Sequence, residues 1–255
     1  MTENDFLNFL NDLEEYLVEG ATHILQNIPD DPKKIENKSV IGSLLSRQTT
    51  LCIQMARAPN ILNAHSAPLF LRAMVDLEIT LSWILLDVDE RVKKYVLYGL
   101  GEEKLIIEHY KKEAEDANDQ EYKSEILSAI ENKENWVRSQ KPEYLLEINL
   151  GNWAQLDYRK MAQEAGKENL YKFPYKVFSQ SAHNMWNSLA FYNSKKCNNP
   201  LHRYHTVPAL LEAPFDIDYL YRAFKYVDHV WSAIIDKYDI YTPFVFPIDY
   251  FEEKL

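Results

Sequence analysis

One stretch constrains this chain more than any other: residues 67 to 87 read APLFLRAMVDLEITLSWILLD, apolar on nearly every helical face. Such a helix is stable in water only when other helices surround it. Membrane insertion is the competing solution, and Arg72, Asp76 and Glu78 oppose it by interrupting the run with charge. The stretch is therefore expected to be the central helix of a bundle.

Periodicity elsewhere agrees with that expectation. Residues 5 to 28 place Phe6, Leu10, Leu13, Leu17, Ala21, Ile24 and Ile28 at steps of three and four, and Pro29 closes this first helix. A second runs from beyond Pro32 to Arg57 with Val40, Leu44, Leu45, Leu51, Ile53 and Met55 inward; Pro59 ends it, because the residue before proline avoids helical geometry. Ser66 is placed to cap the central helix. A fourth helix, from near Asp89 to about Ala117, crosses Gly99 and Gly101, each unfavourable by about 1 kcal/mol, so a bend is expected there. Residues 121 to 139 make a polar fifth helix anchored by Ile126, Leu127, Ile130, Trp136 and Val137. Asn152 or Asp157 opens a short helix that Gly166 closes as a C-terminal cap. A helix is then predicted from Pro174 to Asn193, and a long ordered loop from Ser194 to Pro214, which holds three prolines. Asp216 caps the last helix, which runs to Tyr238, and the aromatic tail YTPFVFPIDYF folds back over the bundle. The expected fold is all-α, a single-domain multi-helix bundle over 1–255 with a nearly all-apolar central helix and with residues 216–255 packed against the rest.

Charge narrows the function. The 28 Lys and Arg against 39 Asp and Glu give a net charge of -11, the reverse of the basic face that drives general nucleic-acid binding. The acidic opening Met-Thr-Glu-Asn-Asp does not read as a secretory signal, and no membrane partner is expected. Two distant cysteines, Cys52 and Cys197, cannot form a disulfide framework, which points to the cytoplasm.

Charges on a buried helix need partners, because an unpaired ion in a low-dielectric interior costs several kcal/mol. Arg72 and Asp76 are one turn apart and can pair with each other; Glu78 points to another side and must be met by another helix. Such residues serve equally as a structural ion-pair network or as a ligand or catalytic cluster. A second constellation lies in YKVFSQSAHNMW, where Tyr175, Ser179 and His183 are four apart and line one stripe of a helix. His183 can take a proton from Ser179 or from a bound substrate, which makes the pair candidate catalytic residues. No Gly-x-Ser-x-Gly elbow supplies an oxyanion hole, so hydrolase chemistry of the triad kind is not expected.

The runs FLRAMVDLE, NWAQLDYRKMAQEAG and LYKFPYKVFSQSAH, with Arg72, Glu78, Trp153, Ala162, Gly166, Tyr171, Tyr175, Ser179 and His183 as the matching residues, resemble the bacterial family catalogued as domain of unknown function 5677. The resemblance covers roughly residues 66 to 195. It implies an all-helical intracellular protein in which the Arg and Glu of the central helix meet the Ser-x-x-x-His stripe, and it brings no established activity.

Other signals are weaker. Cys197, His202 and His205 fall in one loop, but the spacing is a poor metal motif, so hydrogen bonding is the expected role and neither metal nor cofactor is predicted. No Glu-x-x-His pair suggests a di-iron bundle, and Gly99-Leu-Gly101 lacks the rest of a nucleotide fingerprint. Arg222 and His229, seven apart on one helix face, resemble the Arg-x(4 to 6)-His pattern of the helical HEPN ribonucleases; Ala223 stands where that pattern usually has a polar residue. The resemblance implies acid-base chemistry for His229 and phosphate binding for Arg222.

Two functional readings follow. The first is a binding or regulatory module whose inter-helical pocket, built from Arg72, Glu78, Tyr175, Ser179 and His183, holds a small anionic or polar ligand. The alternative is a metal-independent HEPN-like ribonuclease or toxin of bacterial defence, using His183 or His229 and working as a homodimer, against which the negative charge counts.

Overall fold

The computed structural model describes residues 3–140 and 156–254, with side chains from Asn8 onward. Phe6, Asn152 and Trp153 lie outside those described side chains. The fold is all-α, with one small β-hairpin among the described residues. Its elements are α1 (Glu3–Asn27), α2 (Ile35–Arg57), α3 (Ala67–Leu86), α4 (Val88–Asp116), α5 (Gln120–Arg138), α6 (Tyr158–Glu164), α7 (Lys176–Ala182), α8 (Trp186–Tyr192), β1 (Ser194–Lys196), β2 (Thr206–Pro208), α9 (Asp218–Tyr238) and α10 (Pro247–Lys254). The chain divides into two compact units, Met1–Leu86 with Met161–Leu255, and Asp87–Lys160.

In the larger unit α3 is the central element. Leu71, Met74, Val75, Ile79 and Ile84 are fully buried, and α2, α7 and α9 pack on it. From the other side α9 contributes Phe224, Val227, Val230, Trp231 and Ile234, and α1 adds Leu13, Leu17 and Ile24. Side chains of this size each contribute roughly 1.5–3 kcal/mol when fully buried. The tail closes over α1 and α9. Phe251 is fully buried against Phe9 and Phe224, the Tyr16 and Tyr250 rings stack at 3.7 Å, and the Tyr16 hydroxyl donates to the Val245 carbonyl at 2.6 Å.

The smaller unit is a helical hairpin. Leu97, Leu100, Ile107 and Ala114 of α4 meet Ile126, Ile130 and Val137 of α5. Asp119 caps α5 by accepting the Tyr122 N–H at 2.9 Å.

Helix ends follow local chemistry. Asn63 Oδ1 accepts the His65 and Ser66 N–H groups ahead of α3, and Asp216 Oδ1 accepts the Asp218 N–H as α9 begins. Asp157, as expected, opens α6 by accepting the Lys160 N–H at 2.8 Å. Gly166 closes it with φ of 69°; the Lys167 N–H reaches the Ala162 carbonyl at 2.7 Å and the Gly166 N–H that of Gln163, the pair of bonds that defines a Schellman cap.

Two sequence expectations need correction. The helix predicted over Pro174–Asn193 is broken. A single turn at Glu168–Leu170 runs into a wide π turn at Tyr171–Tyr175 that holds Pro174, and only then does α7 begin. It ends at Asn184, which has φ of 51° and is followed by the same cap, Met185 N–H to Gln180 carbonyl and Asn184 N–H to Ser181 carbonyl. Asparagine tolerates the left-handed region, which is why an apolar periodicity could run past a real stop. The segment Ser194–Pro214, expected as loop, contains the antiparallel pair β1–β2 with Lys195 opposite Val207.

Glycine positions give a paired test. A Cβ on Gly20 would stand 2.2 Å from the Trp231 ring, so α1 lies against the indole only because this side chain is absent. Gly99, within α4, has nothing within 4 Å. Gly20→Ala is expected to lower stability by about 1–3 kcal/mol through overpacking, and Gly99→Ala to raise it by about 0.5–1 kcal/mol, both read from urea denaturation.

Candidate functional site

The polar residues of α3 divide into two groups. Arg72 lies on the α7 side. Its guanidinium stacks on the Tyr175 ring at 3.5 Å, its Nε donates to Ser179 Oγ at 2.7 Å, and its Nη1 pairs with Asp76, as the one-turn spacing predicts. Ser179 Oγ in turn donates to the Tyr175 carbonyl at 2.6 Å. The hydroxyl proton is thus committed to a backbone oxygen, and the oxygen is held by a cation. That arrangement fixes Ser179 in place and supplies no base to activate it.

His183 falls at the end of α7 rather than inside a continuous helix, because the cap at Asn184 follows it. Its ring is exposed and close enough to Asp76 to favour the charged carboxylate. Burial acts more strongly in the opposite direction and, despite Arg72 and His183, pushes the Asp76 carboxyl above its ordinary 3.8. Asp76 Oδ1 is buried with no hydrogen-bond partner among the described residues.

Glu78 belongs to the second group. It is 1% exposed, and its Oε1 accepts from Lys167 Nζ at 2.8 Å and lies 3.0 Å from His229 Nδ1, with Oε2 at 3.2 Å from the same nitrogen. The partner that a buried glutamate requires is therefore supplied from α9, as the sequence demanded, and also from the turn after α6. The His229 side chain is 34% exposed. An imidazole held through Nδ1 by a carboxylate has its tautomer and ring plane set, which leaves Nε2 as the atom that exchanges a proton. Tyr226 lies on the same face of α9, its phenol pushed well above its usual range chiefly by burial, with Glu78 adding to the shift and Arg222 opposing it. Arg222, half-exposed, is tied by Nε to Asp218 at 2.6 Å.

Of the five residues expected to share a pocket, Arg72, Tyr175 and Ser179 are in contact, His183 lies near Asp76, and Glu78 sits with His229 instead. The Glu78–Lys167–His229 group escaped sequence reasoning because its members are distant in the chain. Glu78 in need of a partner, His229 seven residues after Arg222 and the cap at Gly166 that delivers Lys167 were each visible as signals, but not their meeting. A separate cleft of about 260 Å³ runs past α7 and α8, lined in part by Pro68, Phe178, Ser181, Asn187, Phe191 and Tyr219. Cys197, His202 and His205 form the one His/Cys/acidic group among the described residues compact enough to hold a metal ion.

These features define a helical bundle in which a buried carboxylate is paired with a partly exposed imidazole. The chain belongs to the family described as "Family of unknown function (DUF5677)", which matches residues 38–200. Glu78 and Lys167 fall inside the matched segment and His229 beyond it. No curated protein and no solved structure matches the chain. No helix among the described residues is long and apolar enough to cross a membrane.

Removing Arg72 strands a largely desolvated Asp76 and breaks the bond to Ser179. Arg72→Ala is therefore expected to cost about 2–4 kcal/mol and Ser179→Ala about 1 kcal/mol in urea denaturation. The raised Asp76 pKa means that the folded state binds that proton more tightly than the unfolded chain, so stability is withdrawn as pH rises through the folded value. As pH rises from about 4, the wild type should lose stability relative to Asp76→Asn. Gln48 is fully buried in α2 and neither of its amide atoms has a hydrogen-bond partner among the described residues. Gln48→Met, close in shape and free of those polar atoms, should leave the melting temperature unchanged or raise it.

Proposed function

We propose that this protein is a metal-independent enzyme of the HEPN-like ribonuclease kind, with His229 as its proton-transfer group. The observation that carries the reading is the contact of His229 Nδ1 with both oxygens of the buried Glu78 carboxylate, made by an imidazole that remains partly exposed. A buried carboxylate beneath a histidine is the arrangement that orients an acid-base imidazole and stabilises its protonated form. Lys167 adds a positive charge beside the pair. Arg222, seven residues earlier on the same face and held by Asp218, provides a guanidinium for phosphate.

The reaction such a set suits is transfer of an RNA phosphodiester to its own ribose. The 2′-hydroxyl oxygen bonds to the adjacent phosphorus as the bond to the 5′-oxygen breaks, and the imidazole moves the proton without help from a metal. A chain of net charge -11 then captures RNA only through local cations, so activity should fall steeply with added salt.

A second reading, a binding or regulatory module for a small polar or anionic ligand, is favoured by the cleft past α7 and α8 with its Ser181, Asn187 and Tyr219 lining. Purified protein incubated with total RNA in EDTA separates the two. Cleavage should occur, fall by about 100-fold or more in His229→Ala and by about tenfold in Glu78→Gln, and persist in His183→Ala. Cleavage indifferent to His229→Ala removes the ribonuclease reading. No cleavage, together with a small molecule that raises the melting temperature of wild type but not of Asn187→Ala, supports the binding module.

A further inference from the structure

We infer that the hairpin between α8 and α9 is a zinc site, with Cys197 Sγ and one ring nitrogen each from His202 and His205 as ligands. This assignment is independent of the reading of His229. The ligand-bearing atoms of the three residues all lie within 4.8 Å of one another. Cys197 Sγ and His202 Nδ1 are 3.7 Å apart. A tetrahedral zinc ion with sulfur at about 2.3 Å and nitrogen at about 2.05 Å sets those two ligands about 3.6 Å apart.

The backbone explains how a loop achieves this. β1 and β2 are three residues each, too short to be stable as an isolated pair. The ladder is extended by the Cys197 N–H donating to the His205 carbonyl at 3.0 Å, which brings the first and last of the proposed ligands side by side. Between them the His202 N–H donates to the Asn199 carbonyl and the His205 N–H to the His202 carbonyl, two successive turns that bring both imidazoles round toward the sulfur. The Asn199 N–H points at Cys197 Sγ, 3.5 Å away, a donor placed to share the charge of a ligating thiolate. The segment has no apolar core of its own; Leu201 and Tyr204 are 88% and 92% exposed. A metal cross-link is the kind of staple that such a small element lacks.

The donor set selects the ion. One thiolate with two imidazoles suits a borderline-soft cation such as Zn²⁺ and offers no oxygen cage for magnesium or calcium. A disulfide does not compete for the sulfur, since Cys52, the other cysteine, is fully buried in α2. Binding replaces the thiol S–H bond with a Zn–S bond and releases the proton to solvent. Three protein ligands leave the fourth tetrahedral position to water. With the metal on Nδ1, the His202 ring proton resides on Nε2. The Asn199 side chain braces the turn that carries this ring, its Oδ1 accepting the Leu201 N–H at 3.0 Å. Asn199 is thus a positioning residue.

The test is titration of the full-length, metal-stripped protein with Co²⁺, followed by Zn²⁺ displacement. Expected are one equivalent bound, a near-ultraviolet thiolate-to-cobalt charge-transfer band, visible bands of a tetrahedral site, and loss of all of them on adding Zn²⁺. Cys197→Ser should abolish the charge-transfer band. His202→Ala and His205→Ala should each weaken Zn²⁺ binding tenfold or more, as should Asn199→Ala by about tenfold. Cys52→Ala should leave the spectrum unchanged, and Zn²⁺ should protect one thiol of the native protein from alkylation. Absence of the charge-transfer band from the wild type, or stoichiometric binding unaffected by Cys197→Ser, overturns the assignment.

Discussion

The constraint on which the larger unit depends is the presence of carboxylates inside an apolar helix. A glutamate that is 1% exposed is tolerable only if polar partners come to it, and in this chain they come from two directions, Lys167 after α6 and His229 in the middle of α9. Packing alone would let α3 and α9 slide or rotate against each other at small cost, because apolar surfaces are not directional. A charge that must be met at one atom removes that freedom, so the contacts of Glu78 set register while Leu71, Val75, Ile79, Val227 and Trp231 supply the burial.

The Arg72 group works differently. Its guanidinium is engaged by Ser179, Asp76 and the face of Tyr175, and this end of α3 is thereby joined to α7. His229 keeps one third of its surface and one nitrogen outside the pair with Glu78. The committed proton of Ser179 at one site and the partly exposed imidazole at the other are the physical basis for placing chemistry at His229 rather than at Ser179.

Much of the fold was legible along the chain. The three- and four-residue steps of Leu13, Leu17 and Ile24, the stops at Pro29 and Pro59, the all-round apolarity of α3 and the cap at Gly166 all correspond to observed elements. What escaped was determined by single residues or by tertiary contact. Asn184 ends α7 through a left-handed backbone that asparagine adopts more readily than most residues other than glycine, while the apolar pattern continues through Trp186, Leu189 and Phe191. The β1–β2 pair is only three residues per strand, too little for alternation to register. The site was half visible. Glu78 announced its need for a partner, and the pairing of Arg72 with Asp76 followed from helix geometry, but nothing local could say that residue 229 rather than residue 183 would answer residue 78.

The turn at Gly166 carries a consequence beyond ending a helix. Its left-handed backbone bends the chain so that Lys167, tied by its own N–H to Ala162, extends its ammonium to Glu78. A hydrogen atom in place of a side chain at position 166 thereby tunes the electrostatic potential felt by the imidazole of residue 229. Chirality at one α-carbon would reset that potential without any change in the number of charges.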